Sequence, residues 1–139
     1  MSAAPQRARR RVLVRERIGE PGVALLREHF DVDLGYDWTD AELAERIGVY
    51  DGILVRSATT LDAALIARAE CLRVIARAGV GVDNVDVPAA TKQGVVVANA
   101  PQSNVVTAAE HTLALLLALA RNVPQAHASL VAERTRIPS

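Results

Sequence analysis

Five short strand-like runs, separated by stretches of helical spacing, constrain this 139-residue chain more than any other feature. The runs are Val12-Leu13-Val14, Val32 to Leu34, Gly52 to Val55, Leu72 to Ala76 and Val95-Val96-Val97. They are short continuous apolar runs rather than alternating ones, the pattern of strands covered on both faces. Between them, Glu20 to Phe30, Thr39 to Ile47, Leu61 to Ala69 and Val87 to Gln93 read as helices. Val23, Leu25, Leu26 and Phe30 fall at helical spacing in the first. Thr39 and Glu42 have the spacing of a capping box, and Asp62 lies in a first turn, where the helix dipole favours a carboxylate. Gly94 stops the fourth helix. Strands joined through helices run parallel, with right-handed crossovers. The expected fold is α/β: a doubly wound parallel sheet of five strands.

After Asn99-Ala100-Pro101 the pattern changes. A long helix is expected over about Asn104 to Arg121, and Thr107 with Glu110 offers a second capping box inside its beginning. From Leu113 to Leu119 its apolar residues cover most of the circumference, so it wants burial on every side. That assigns it to a second domain or a subunit contact. Asn122, Val123 and Pro124 interrupt it, and a shorter helix, Gln125 to Glu133, follows. The expected organisation is a disordered basic tail over 1–11, a first domain over 12–101, and the helices that begin a second domain over 102–139.

Half of the residues are apolar but only 3% are aromatic, so the core is aliphatic. Sixteen basic and sixteen acidic residues cancel, which argues against a nucleic-acid binder held by phosphate contacts. The local excess, Arg7, Arg9, Arg10 and Arg11, reads as a solvated terminus. Val12-Leu13-Val14 is broken at once by Arg15-Glu16-Arg17, so no secretory signal is expected, and the run Leu113 to Ala120 is too short for a membrane span. A lone Cys71 fits a reducing cytoplasm and is expected to fill the core.

Two loops carry the chemistry. Arg56-Ser57 follows one run, and Gly79-Val80-Gly81 follows another. In an open parallel sheet the loops at the carboxyl ends of the strands line the ligand crevice. Arg56 offers a permanently charged fork for a carboxylate or phosphate, and Ser57 adds a hydroxyl. The helix beginning near Leu61 is expected to help hold an anion through its N–H groups. The alternative for Arg56 is a surface ion pair; its place at a strand end favours the anion. Gly79-Val80-Gly81 lets a ligand approach backbone closely, although Asn84 stands where a dinucleotide fingerprint would have its third glycine. His29, His111 and His127 show no metal-ligand spacing, and Glu110 and His111, adjacent on a helix, do not face each other. No metal site and no catalytic histidine are expected.

The segments 54–59, 77–86, 89–101 and 103–111 together resemble the NAD-dependent D-2-hydroxyacid dehydrogenases, and among them the branch that oxidises 3-phospho-D-glycerate in serine biosynthesis. The resemblance runs from about Val12 to Leu130. It implies a flavodoxin-like strand order in a substrate-binding domain, followed by a Rossmann domain entered through the helix 104–121. It implies substrate contacts at Arg56, Ser57, Gly79, Val80, Gly81 and Asn104, with Val80 and Asn104 also meeting the NAD cofactor. Cytoplasmic location and a homo-oligomeric whole protein are expected, with no membrane or nucleic-acid partner.

The same resemblance implies what is missing. The family's Gly-rich dinucleotide loop and its catalytic Arg, Glu and His are expected beyond residue 139, and the stretch 133–139 departs from the tryptophan-containing segment usual there. A truncated or frame-shifted end, and no turnover from the chain alone, are therefore expected. The runner-up is another D-2-hydroxyacid dehydrogenase, such as a glyoxylate/hydroxypyruvate reductase. A dehydrogenase-like corepressor would need an exposed apolar peptide groove, of which the sequence gives no clear sign. A phosphoryl-accepting receiver domain is rejected, because Arg15-Glu16-Arg17 and Ala98-Asn99-Ala100-Pro101 stand where its acidic cluster and lysine belong.

Overall fold

The computed structural model describes residues 9–134. The chain divides into two compact units, one ending at Ser103 and the other beginning at Asn104.

In the first unit, strands β1 (Arg11–Val14), β2 (Asp31–Leu34), β3 (Gly52–Val55), β4 (Val74–Arg77) and β5 (Val96–Asn99) alternate with helices α1 (Glu20–His29), α2 (Asp40–Arg46), α3 (Ala63–Arg68) and α4 (Val87–Lys92). All pairings are parallel, in the order β2-β1-β3-β4-β5, the flavodoxin-like order expected.

One sheet face is sealed. Leu13, Ile53, Val55 and Ile75 form one core cluster with Leu43 of α2, Ile66 of α3 and Ala90 of α4, each at most 1% exposed. Such residues each contribute about 1.5–3 kcal/mol by leaving water. The opposite face is less covered than the continuous apolar runs imply. Leu26 and Phe30, from α1 and its end, line a groove of about 430 Å³ there with Val12, Leu54, Val74 and Val96. Val74 stays 40% exposed and Val96 61%.

Local signals end the helices. Thr39 accepts from Glu42 N–H while Glu42 accepts from Thr39 N–H, so the expected capping box is formed. α3 starts two residues later than expected, because Leu61 bridges Val85 as a strand-like pair and Asp62 becomes the cap, accepting from Leu65 N–H. Asp86 caps α4 in the same way through Ala89 N–H, and Gly94 follows that helix at φ +76°.

Several boundaries and placements differ from expectation. β4 opens at Val74 and β5 at Val96, two residues and one residue after the expected starts, because Leu72 and Val95 are buried in the approaches. Of the tail expected over 1–11, residues 1–8 lie outside the described residues. Arg9 donates to the Arg27 and Glu28 carbonyls, Arg10 pairs with Asp51 at 3.1 Å, and Arg11 opens β1. Cys71 is exposed rather than in the core. It lies in the turn after α3, where Ala69 and Leu72 on either side turn inward and leave it outside.

The second unit holds α5 (Val105–Ala120) and α6 (Val123–Arg134). α5 begins directly after Asn104, so Thr107 lies inside its first turn and the Thr107–Glu110 pair does not start it. Asn122 adopts φ 53°, and α6 then starts at Val123, two residues before the expected start. Proline needs no N–H partner in a first turn, so Pro124 is accommodated inside this helix.

Candidate functional site

The strand register aligns the ends of three neighbouring strands. Val55 of β3 pairs with Arg77 of β4, and Arg77 pairs with Asn99 of β5. Because the strands are parallel, Arg56-Ser57, Gly79-Val80-Gly81 and the turn after Asn99 leave the same edge of the sheet. The two loops singled out in the sequence therefore share one rim.

Arg56 and Ser57 are both exposed. The Arg56 guanidinium touches only the Arg17 carbonyl, at 3.4 Å, among the hydrogen bonds described. Among the described residues it enters no ion pair. A surface salt bridge, the alternative weighed for this arginine, is not what holds it.

The loop beneath that side chain is fixed from two directions. The Glu16 carboxylate, just past the end of β1, accepts from the backbone N–H groups of Arg56 at 2.9 Å, Ala58 at 3.1 Å and Thr59 at 3.0 Å. Partial burial alone would push the Glu16 carboxyl up, but these three donors outweigh it and hold it below its ordinary value of 4.5. From the other side, Asn84 donates through Nδ2 to the carbonyls of Arg56 at 2.8 Å and Thr59 at 2.6 Å. Leu61 N–H donates to the Asn84 carbonyl at 2.8 Å.

Internal acceptors take several of the backbone N–H groups near this rim. Glu16 occupies those of Arg56, Ala58 and Thr59, and Asp62 caps α3. At the helix start near Leu61, expected to help hold an anion, Asp62 takes the Leu65 N–H. The side-chain groups the loop presents to a ligand are one guanidinium and one hydroxyl.

The glycine loop is held by its own neighbours. Asn99 Nδ2 donates to the Val80 carbonyl at 2.6 Å, and Ala100 N–H to the Gly79 carbonyl at 2.9 Å. A Cβ on Gly79 would collide with the Arg77 guanidinium, whose Cζ lies 2.8 Å from that position, and one on Gly81 would collide with the Asp83 carboxylate. Both are the far ends of flexible side chains, so a Cβ at either place would push the Arg77 or Asp83 side chain aside. Val80 stands between them, 38% exposed. Arg77 brings a second guanidinium to the rim, and its Nε is buried without a partner among the described residues. Arg77, Glu16, Asn84 and Asn99 are not among the site residues expected from the sequence. For Arg77 the signal was present, since its strand-end position matches that of Arg56.

Asn104 belongs to the second unit, at the N-cap of α5, where its side chain makes no capping hydrogen bond. The apolar groove on the sheet face is separate from these loops: none of Arg56, Ser57, Gly79, Val80 or Gly81 lines it.

The family model for the catalytic domain of D-isomer specific 2-hydroxyacid dehydrogenases matches residues 12–137. The chain is 50% identical over 123 residues to the chloroplastic D-3-phosphoglycerate dehydrogenase 2 of Arabidopsis thaliana, an alignment that takes in 88% of this chain and 20% of that protein. It is 45% identical over 120 residues to D-3-phosphoglycerate dehydrogenase of Synechocystis, covering 86% of this chain and 22% of that one. The NAD+-bound 3-phosphoglycerate dehydrogenase structure from Entamoeba histolytica superposes with a TM-score of 0.65 at 28% identity, over 80% of this chain and 39% of that one. The chain thus spans about a fifth of the length of these curated relatives.

Proposed function

The chain belongs to the D-isomer specific 2-hydroxyacid dehydrogenase family, and from that premise we propose that it is the substrate-binding part of a D-3-phosphoglycerate dehydrogenase. In this reading the whole protein oxidises 3-phospho-D-glycerate to 3-phosphooxypyruvate with NAD, a step of L-serine biosynthesis. It works as a homo-oligomer in the cytoplasm, without a membrane or nucleic-acid partner. No helix among the described residues is long and apolar enough to cross a membrane.

The observation that carries this reading is Arg56, an arginine in no ion pair among the described residues, on the same rim as the Gly79-Val80-Gly81 loop. Arg56 and Ser57 grip the anionic group of the substrate, with Arg77 close by to share its charge. The backbone of Gly79-Val80-Gly81 meets the substrate carboxylate. NAD, when bound, supplies the hydride acceptor. The flat apolar face of Val80, held out between two glycines, suits contact with a nicotinamide ring, and Asn104 is assigned to the same cofactor. No residue of this chain is assigned a catalytic role.

The test is a titration of the chain with 3-phospho-D-glycerate and, separately, with glyoxylate. Phosphorylated substrate is expected to bind better. Arg56→Ala is expected to weaken it by about 2–5 kcal/mol, the usual cost of removing one partner of a desolvated charge pair. Equal affinity for wild type and variant, or a preference for the unphosphorylated acid, would overturn the assignment in favour of another member of the family.

A further inference from the structure

Anion-binding loops commonly use their own N–H groups on the ligand, yet three of the four N–H groups of 56–59, those of Arg56, Ala58 and Thr59, go to a carboxylate of the same protein. Glu16 takes three of them from the β1 side, while Asn84 takes the Arg56 and Thr59 carbonyls from the β4 side. Glu16 lies forty positions from Arg56 and Asn84 lies 28 positions from it, so neither contact is local. The strand order makes both possible, because β3 lies between β1 and β4.

We propose that Glu16 and Asn84 are positioning residues, a two-sided clamp that sets the 56–59 loop so that Arg56 and Ser57 present their groups to an anionic substrate. Asn84 also belongs to the segment that follows Gly79-Val80-Gly81, so the clamp ties the two binding loops into one preset unit. The inference rests on the function proposed above.

Charge alone and the clamp demand opposite outcomes for Glu16→Gln. Removing a negative charge beside an anion site strengthens anion binding on electrostatic grounds. Loss of the clamp weakens it. A glutamine has one acceptor oxygen and turns an NH2 toward the backbone donors, so it cannot replace the carboxylate.

The experiment uses the 139-residue chain with 3-phospho-D-glycerate as probe, for wild type, Glu16→Gln, Asn84→Ala, Arg56→Ala and the double variant Glu16→Gln/Arg56→Ala. Amide exchange at Arg56, Ala58 and Thr59 is read without ligand, and the urea unfolding midpoint monitors the core. Exchange at those amides is expected to rise about tenfold or more in Glu16→Gln, and affinity to fall about tenfold in both clamp variants. In the Arg56→Ala background Glu16→Gln is expected to add nothing, as for two residues that act through one another. Binding that is unchanged or tighter in Glu16→Gln, full additivity with Arg56→Ala, or unchanged exchange would each overturn the proposal. Should Glu16→Gln shift the unfolding midpoint of the whole unit, Asn84→Ala decides by the same criteria. Wild-type chain that ignores the probe overturns the functional reading as well, whereas binding that needs Arg56 but not Glu16 overturns the clamp alone.

Discussion

The two units of this chain handle apolar residues in opposite ways. Up to Ser103, aliphatic side chains arrive on one face of each strand and meet helices built to receive them, and Leu13, Ile53 and Ile75 are at most 1% exposed. From Asn104 onward, α5 is the more apolar element, yet none of its residues is buried, and Leu117 and Leu119 remain 63% and 73% exposed. Hydrophobic content does not by itself make a core. A sheet needs one covered face, which short crossovers supply from nearby sequence. A helix that is greasy around its whole circumference needs neighbours all round, and a single partner helix cannot provide them. Stability in the described chain therefore resides in the first unit.

The contrast breaks most directly at two matched truncations. Ile75→Ala is expected to lower the unfolding free energy by about 2–5 kcal/mol in urea titrations followed by circular dichroism. Leu117→Ala, which removes the same kind of surface from α5, is expected to change it by no more than about 0.5 kcal/mol. Comparable losses at both positions would mean that α5 is as deeply packed as β4.

A smaller effect sharpens the picture at the sheet edge. Tyr50, 3% exposed, donates to Asp33 at 2.7 Å, and Arg11 pairs with the same carboxylate at 2.8 Å. Burial first, and then the Asp33 contact, push the Tyr50 hydroxyl up from 10.0 to about 12. The folded state thus keeps this proton where the unfolded chain loses it. The stabilisation is complete below pH 10 and is lost as pH rises toward 12, amounting to something on the order of 2 kcal/mol. Alkaline unfolding curves of Tyr50→Phe are expected to lack that decline.

The smallest expected change is Thr39→Ala, which removes the side-chain half of the α2 cap and should cost about 1 kcal/mol by thermal unfolding. Thr39→Ser is expected to retain most of it. A silent Thr39→Ala would show that tertiary packing of Leu43, rather than the cap, holds α2 in place.

The same division between local and distant interactions explains what the sequence revealed. The Thr39–Glu42 box was legible because both partners lie within one turn. The strands were legible from their apolar runs, and Arg56 and Gly79-Val80-Gly81 from following them directly. Glu16 was not legible: flanked by Arg15 and Arg17, it looks like solvated charge, and its three donors lie about forty residues away. Asn84 was visible only as a missing glycine, since its work depends on β3 and β4 being neighbours. Cys71 was misplaced because a small thiol follows the turn it sits in, and only the inward course of Ala69 and Leu72 decides which way that turn opens.

The internal tethering of the 56–59 backbone bears on exchange of one bound molecule for another. With three of its amides already engaged internally, the segment has no need to refold around each newcomer. Arrival and departure are left to swings of a guanidinium and a hydroxyl, motions of pico- to nanoseconds on a surface. The cost of shaping the receptacle is met once, when the polypeptide folds, and is not repeated at every encounter.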